Sequence, residues 1–181
     1  MERRDFIINS ARGMALLAAV KLMSPFELLA KNKFTENMRI ATIEDAQAIV
    51  DYWNANLAAI EAEMGQTLEP MELSWLTTPR NYFNKNFIVW DENNVMVCSK
   101  VYNGQSIITF CWSSGVSNLK AGLLYCAQES KTRNLNLITG LVKTGSSFAQ
   151  FLDLYDIPKI SERDGFSIYG DTPDNFITKL S

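Results

Sequence analysis

The stretch "FCWSSGVSNLKAG", Phe110 to Gly122, decides how the chain is read. It opens as an apolar, aromatic strand, breaks at Ser113-Ser114-Gly115, and resumes as a helix with Leu119, Leu123, Cys126 and Ala127 on one side. Asn118 has the side chain expected of that helix's cap. A strand passing through small residues into a helix leaves the helix's first N–H groups pointing at whatever lies ahead of them. The junction is therefore either a phosphate-holding loop or a plain turn. In the first case the amides of Gly115, Val116, Ser117 and Asn118 form the holding site, with hydroxyl donors available at Ser113, Ser114 and Ser117.

Upstream lie two more strands, "FIVWD" and "VMVCSKVY", separated by Glu92-Asn93-Asn94. Asn103-Gly104 follows, the strongest hairpin signal in the chain, since both residues tolerate positive φ. "QSIITFCW" closes an antiparallel meander that is apolar on both faces, so layers are expected on each side. Before it, "NMRIA" reads as a short strand. Thr42 with Asp45 three residues on opens a helix carrying Ala46, Ile49, Val50, Trp53, Leu57 and Ile60 to about Met64, closed by Gly65. A short helix is expected at Thr78-Pro79. After the meander and its helix come a strand, "LNLITGLV", a cap, "TGSS", a helix, "FAQFLDLYDI", and a late strand, "GFSIY". The expected fold is α+β with a mixed sheet, in the order β-α-β-β-β-α-β-α-β.

Composition narrows the chemistry. The chain has 181 residues, 17 Lys and Arg against 20 Asp and Glu, and a net charge of -3. No basic run marks a nucleic-acid footprint, so no nucleic-acid partner is expected. Histidine is absent, which excludes Ser-His-Asp and Cys-His catalysis within this chain and removes the commonest metal ligand. The three cysteines, Cys98, Cys111 and Cys126, lie in apolar contexts without C-x-x-C spacing. They read as buried free thiols in a reducing compartment, with no metal. Glu129 reads as solvated and Glu92 as a turn residue. Trp90, Phe110 and Trp112 are core residues by spacing, with ligand stacking as the alternative; Trp53 and Trp75 face either core or partner.

Residues 1–37 form a separate arm ahead of a domain at 38–181. Phe6, Ile7, Met14, Leu17, Val20 and Leu22 hold one face of an amphipathic helix, and Ser24-Pro25-Phe26-Glu27 starts a second. The arm is expected to dock on this domain, a protein partner or a second copy, with Phe6, Ile7, Met14 and Leu17 as its contact residues. Two lesser alternatives are a membrane-surface helix and a twin-arginine export signal at Arg3-Arg4, whose apolar run Lys21 closes early.

The element order resembles the GNAT acyltransferase fold. "MRIATIEDAQAIV" is similar to that family's opening strand and helix, and "LITGLVKTGSSFAQFLDLYDI" to its fifth strand and following helix. The likeness runs from Met38 to Tyr169. It implies that Trp112 to Asn118 occupy the Gln/Arg-x-x-Gly-x-Gly/Ala loop that cradles the pyrophosphate of acetyl-CoA, and that pantetheine inserts where the fourth and fifth strands splay. This chain departs from the pattern: Trp112 heads the loop, Gly115 is its one glycine, and Gly122 lies too far into the helix. The asparagine slot falls near Thr144-Gly145, the tyrosine slot on Leu152 with Tyr155 one turn on, and the closing Gly-Phe on Asp156-Ile157. The expectation is a non-catalytic GNAT-like domain used for binding or assembly, without a cofactor. The layout is similar to GNAT-like internal virion proteins of short-tailed bacteriophages, which implies a virion or cytoplasmic location. The alternative is an active N-acyltransferase using acetyl-CoA through a divergent loop and an activated water.

Overall fold

The computed structural model of the protein describes residues 37–64, 67–77, 82–92 and 94–181, together with the backbone of Leu17–Val20. The described residues form an eight-stranded mixed sheet and five α-helices. In chain order the strands are β1 (Leu17–Val20), β2 (Arg39–Ile40), β3 (Phe87–Asp91), β4 (Val95–Tyr102), β5 (Gln105–Ser113), β6 (Leu137–Lys143), β7 (Lys159–Arg163) and β8 (Phe166–Asp171). The helices are α1 (Ala46–Met64), α2 (Leu73–Thr77), α3 (Val116–Thr132), α4 (Ser147–Leu154) and α5 (Pro173–Leu180). The main path across the sheet is β2-β3-β4-β5-β6-β8-β7, and β1 joins it by pairing with β5.

The antiparallel meander forms as its sequence requires. Asn103 (φ 48°) and Gly104 (φ 73°) make the expected turn, and β3, β4 and β5 pair in sequence. Both faces are covered. On one, Ile88, Trp90, Met96, Cys98 and Trp112 pack with Ile49, Trp53 and Ile60 of α1. On the other, Phe87, Val89, Val95, Val97 and Cys111 pack with α3, α4 and α5 through Leu119, Leu123, Phe148 and Phe176. Gly122 lets α3 lie directly on β4, because a Cβ there would come within 2.7 Å of Val95 Cγ2 and 3.2 Å of Val97 Cγ2.

The start of α1 is pinned to β2. Thr42 N–H donates to Asp45 Oδ2 at 2.8 Å, as expected of an acidic residue in the first turn. Arg39 forks onto the same carboxylate at 2.7 and 2.6 Å. Asn54 then holds the returning chain by accepting from Met71 N–H at 2.8 Å and donating to Met71 O at 3.0 Å. The helix stop at Gly65 and the helix start at Thr78-Pro79 lie outside the described residues; the described short helices are α2 and a 3₁₀ turn at Tyr82–Asn84.

Three features correct the sequence reading. The expected late strand is a hairpin, β7 and β8, turning at Asp164 (φ 54°) and Gly165 (φ 80°). A C-terminal helix, α5, follows, with the Thr172 hydroxyl accepting from Asn175 N–H and Pro173 in its first turn. The arm is not helical at Leu17–Val20. Those residues are strand β1, parallel to β5, with Leu17, Ala18, Ala19 and Val20 in register with Phe110, Cys111, Trp112 and Ser113. The reason is an unmet backbone edge on β5, which helical Leu17–Val20 would leave without a partner. Phe6, Ile7 and Met14 lie outside the described residues.

Two outcomes are expected. Gly122→Ala lowers stability by about 1–3 kcal/mol through overpacking against β4, read as an earlier urea midpoint. The Asp45 carboxyl is pulled down to about 2, first by the Arg39 hydrogen bonds. Its stabilisation is present above the ordinary carboxylate range and lost as pH falls through that value. Wild type therefore loses a component of stability between about pH 4 and pH 2 that Asp45→Asn has already lost at neutral pH, seen in parallel urea titrations.

Candidate functional site

Strand β5 has different neighbours along one edge. Its β4 side is paired from Gln105 to Ser113 except at Thr109, where the register shifts between Cys98 and Ser99. Its other side pairs in parallel with β6 only over Gln105–Ile108, opposite Leu137–Gly140. Beyond that the two strands part, with β6 continuing against β8 to Lys143 and β1 taking the β5 edge from Phe110 to Ser113. Among the described residues, Thr109 is thus the one residue of β5 with no register partner on either side. A bulge at the fork of a splayed sheet interrupts the ladder and re-aims the strand.

The Thr109 hydroxyl donates to Cys98 O at 3.3 Å and lies 3.5 Å from the Tyr82 hydroxyl. Burial first, and then the nearby Cys98 thiol, hold the Tyr82 phenol well above its usual range, against the opposing effect of the Thr109 contact. The Tyr82 hydroxyl therefore stays protonated at the fork. Neither Thr109 nor Tyr82 stood out in the sequence. A bulge leaves no mark in an unbroken apolar run, and Tyr82 precedes the meander by several residues.

At the open end of the fork, β5 turns into α3. The buried Ser113 hydroxyl donates to Gly115 O at 2.6 Å and accepts from Gly115 N–H at 3.2 Å. Ser114 N–H donates to Asn94 O at 2.8 Å. Gly115 is the N-cap, with extended backbone (φ -178°) that any residue adopts, so no positive φ demands glycine there. Asn118 is not the cap. It sits in the first turn and donates from its amide to Ser114 Oγ at 2.8 Å, because the Ser113 clasp starts the helix at Val116. The Ser113 hydroxyl is engaged in that clasp, whereas Ser114 and Ser117 are exposed.

The two helices flanking the fork have opposite N-termini. In α4 the Ser146 hydroxyl accepts from Ala149 N–H at 3.2 Å, and Glu63 of α1 accepts from Ser147 N–H at 2.6 Å, so a carboxylate already occupies that positive end. In α3 no side chain caps the terminus. The first basic residue of α3, Lys120, is turned away, with its ammonium 5.3 Å from the Tyr155 ring centroid and 3.3 Å from Ser181 O.

The other sequence candidates fall in the scaffold. Leu152 is buried, and Tyr155 caps α4 with its ring tilted against Phe151 at 4.8 Å. Trp90 and Phe110 meet Tyr52 and Trp53 edge-on at 5.3 and 5.2 Å, within the α1-side core. Trp112 and Trp53 are buried; Trp75 is exposed. Cys98, Cys111 and Cys126 are buried free thiols, and burial raises all three, Cys126 to about 12. Glu129 pairs with Arg133 at 2.6 Å, and Glu92 is exposed. Among the described residues no His, Cys, Asp or Glu cluster fits a metal ion, and no helix is long and apolar enough to cross a membrane.

This architecture matches solved acetyltransferases at low identity. The ribosomal-protein-alanine N-acetyltransferase from Brucella melitensis aligns with a TM-score of 0.55 at 11% identity, covering 75% of this chain and 98% of that one. A GNAT-family acetyltransferase from Listeria monocytogenes gives 0.56 at 12%, with 75% and 94% covered. The PaiA N-acetyltransferase from Thermoplasma acidophilum, solved in complex with coenzyme A, gives 0.52 at 11%, with 75% and 98% covered. No protein-family model matches the chain, and no curated protein matches it. The described chain has the GNAT acetyltransferase fold.

Proposed function

We propose that this chain is an N-acyltransferase that carries an acyl group from acyl-CoA to an amine through a divergent loop. The observation behind the reading is the fork itself: Thr109 unpaired where β5 leaves β6, with the uncapped N-terminus of α3 at the open end. A linear donor with a phosphorylated end suits this shape. Its pyrophosphate would meet the amides of Val116, Ser117 and Asn118 and the hydroxyls of Ser114 and Ser117, in place of a leading arginine. Its thioester would lie towards the interrupted ladder.

In the transfer, the amine lone pair forms the new C–N bond at the thioester carbon, and the C–S bond breaks. The nitrogen loses its proton to water, since the fork offers no histidine. The departing thiolate takes its proton from water, with the neutral Tyr82 hydroxyl placed to donate a hydrogen bond to the developing charge on sulfur. Leu152 and Tyr155 are not assigned this role, because both are committed to the α4 packing.

A second reading is favoured by one specific observation: the chain's own β1 lies along the fork edge of β5. In that reading the domain is non-catalytic, and the arm holding Leu17 serves docking or assembly. Calorimetry with acetyl-CoA, followed by release of CoA thiol in the presence of amines, separates the two. The buried cysteines of the folded chain do not compete for the thiol reagent. Saturable binding with turnover supports the transferase, while no binding at millimolar acetyl-CoA leaves the assembly reading. In the transferase, Tyr82→Phe is expected to lower kcat by about 100-fold with KM little changed. An unchanged kcat removes Tyr82 from the mechanism, and a lower urea midpoint alone marks it as structural.

A further inference from the structure

The geometry points to a self-blocked site, in which strand β1 occupies the edge of β5 that acyl-CoA needs and must leave before the donor enters. This inference rests on the acyl-CoA reading above. A strand edge offers one row of N–H and C=O groups, and each serves one neighbour at a time. On the fork side of β5, β6 uses that row over Gln105–Ile108 and β1 uses it over Phe110–Ser113. No register position beyond Thr109 is left for an inserted pantetheine. Because β1 runs parallel to β5, it enters near the bulge and leaves beside Ser113, next to the α3 N-terminus. It therefore covers the whole run between thioester and pyrophosphate.

The connection allows β1 to come and go without unfolding the sheet. Val20 lies on the fork side of β5, and the chain resumes at Arg39 on β2, four strand positions away. That separation is about 19 Å, whereas residues 21–38 extended would reach roughly 60 Å. A short strand joined covalently to the sheet it pairs with acts as an intramolecular competitor. Among the described residues the hold is four residue pairs, which a ligand with its own phosphate contacts can displace. The apparent dissociation constant for acyl-CoA is then the intrinsic one divided by the fraction of molecules in which the fork is vacant.

Two full-length variants test this. Ala18→Pro/Ala19→Pro removes a backbone donor from each edge of β1, including the one facing β5, and disfavours its pairing. It is expected to bind acetyl-CoA about 10- to 100-fold more tightly than wild type, for a vacant fraction of roughly 1–10% in wild type. Those of its Phe110–Ser113 amides that face the fork should exchange with deuterium about 10-fold faster or more without ligand and regain protection with acetyl-CoA. Ala18→Cys places a thiol in register with the native Cys111. Once the 18–111 disulfide is formed and verified by peptide mass, acetyl-CoA binding should be lost, and reduction should restore it. Equal affinity in wild type and the proline variant, or undiminished binding by the cross-linked protein, overturns the self-block and leaves the acyl-CoA reading standing. If wild type, the proline variant and reduced Ala18→Cys all fail to bind acetyl-CoA, the acyl-CoA reading fails and this inference fails with it.

Discussion

The structure depends on the backbone of one strand, β5, whose two edges must both be satisfied deep in the sheet. On the β4 side this is done by a hairpin whose turn is local and inexpensive. On the other side no single neighbour runs the full length. The parallel partner β6 departs at Gly140, in step with the bulge at Thr109, and the remaining edge is closed by a segment from near the start of the sequence. The geometry of the loop, the exposure of the α3 terminus and access to the fork all follow from how that second edge is shared.

Electrostatics at the fork fit a chain without histidine. The groups buried near it are held neutral: the Tyr82 phenol and the three thiols are shifted upward, mainly by desolvation. Glu63 sits on the α4 terminus, and Arg39 is satisfied by Asp45 at the far side of the sheet. Of the two helix ends at the fork, that of α3 is the one left without a capping side chain. The contrast between two neighbouring helix ends, one filled by a carboxylate and one not, gives the fork its polarity.

Much of this was legible in the residues, for identifiable reasons. The meander strands match their apolar runs almost residue for residue, because Asn103-Gly104 sets their register. The body of α1 is legible because its buried positions repeat at helical spacing. Strand β7 escaped because all five of its residues are exposed and carry no apolar alternation, although Asp164-Gly165 offers the same turn chemistry as Asn103-Gly104. Helix α5 escaped although Thr172-Pro173 is a cap followed by a first-turn proline. The site was half legible. Its position at Gly115 follows from the strand-to-helix junction, but the bulge at Thr109, the approach of Tyr82 and the pairing of β1 are tertiary facts with no local signature. In Leu17–Val20 the residues show helical periodicity, and an unpaired edge elsewhere overrode it.

The way this sheet ends bears on how molecules of the protein behave towards one another. One outer margin, β2, has only two residues, and the other, β7, is solvent-exposed and carries Lys159, Glu162 and Arg163. Brevity and charge are both devices that discourage edge-to-edge aggregation. The interior edge of β5 has neither, since Phe110, Cys111 and Trp112 belong to an apolar run. What keeps that edge from recruiting a neighbouring molecule is the chain's own backbone at Leu17–Val20. Colloidal behaviour and ligand access are thus set by the same four residues.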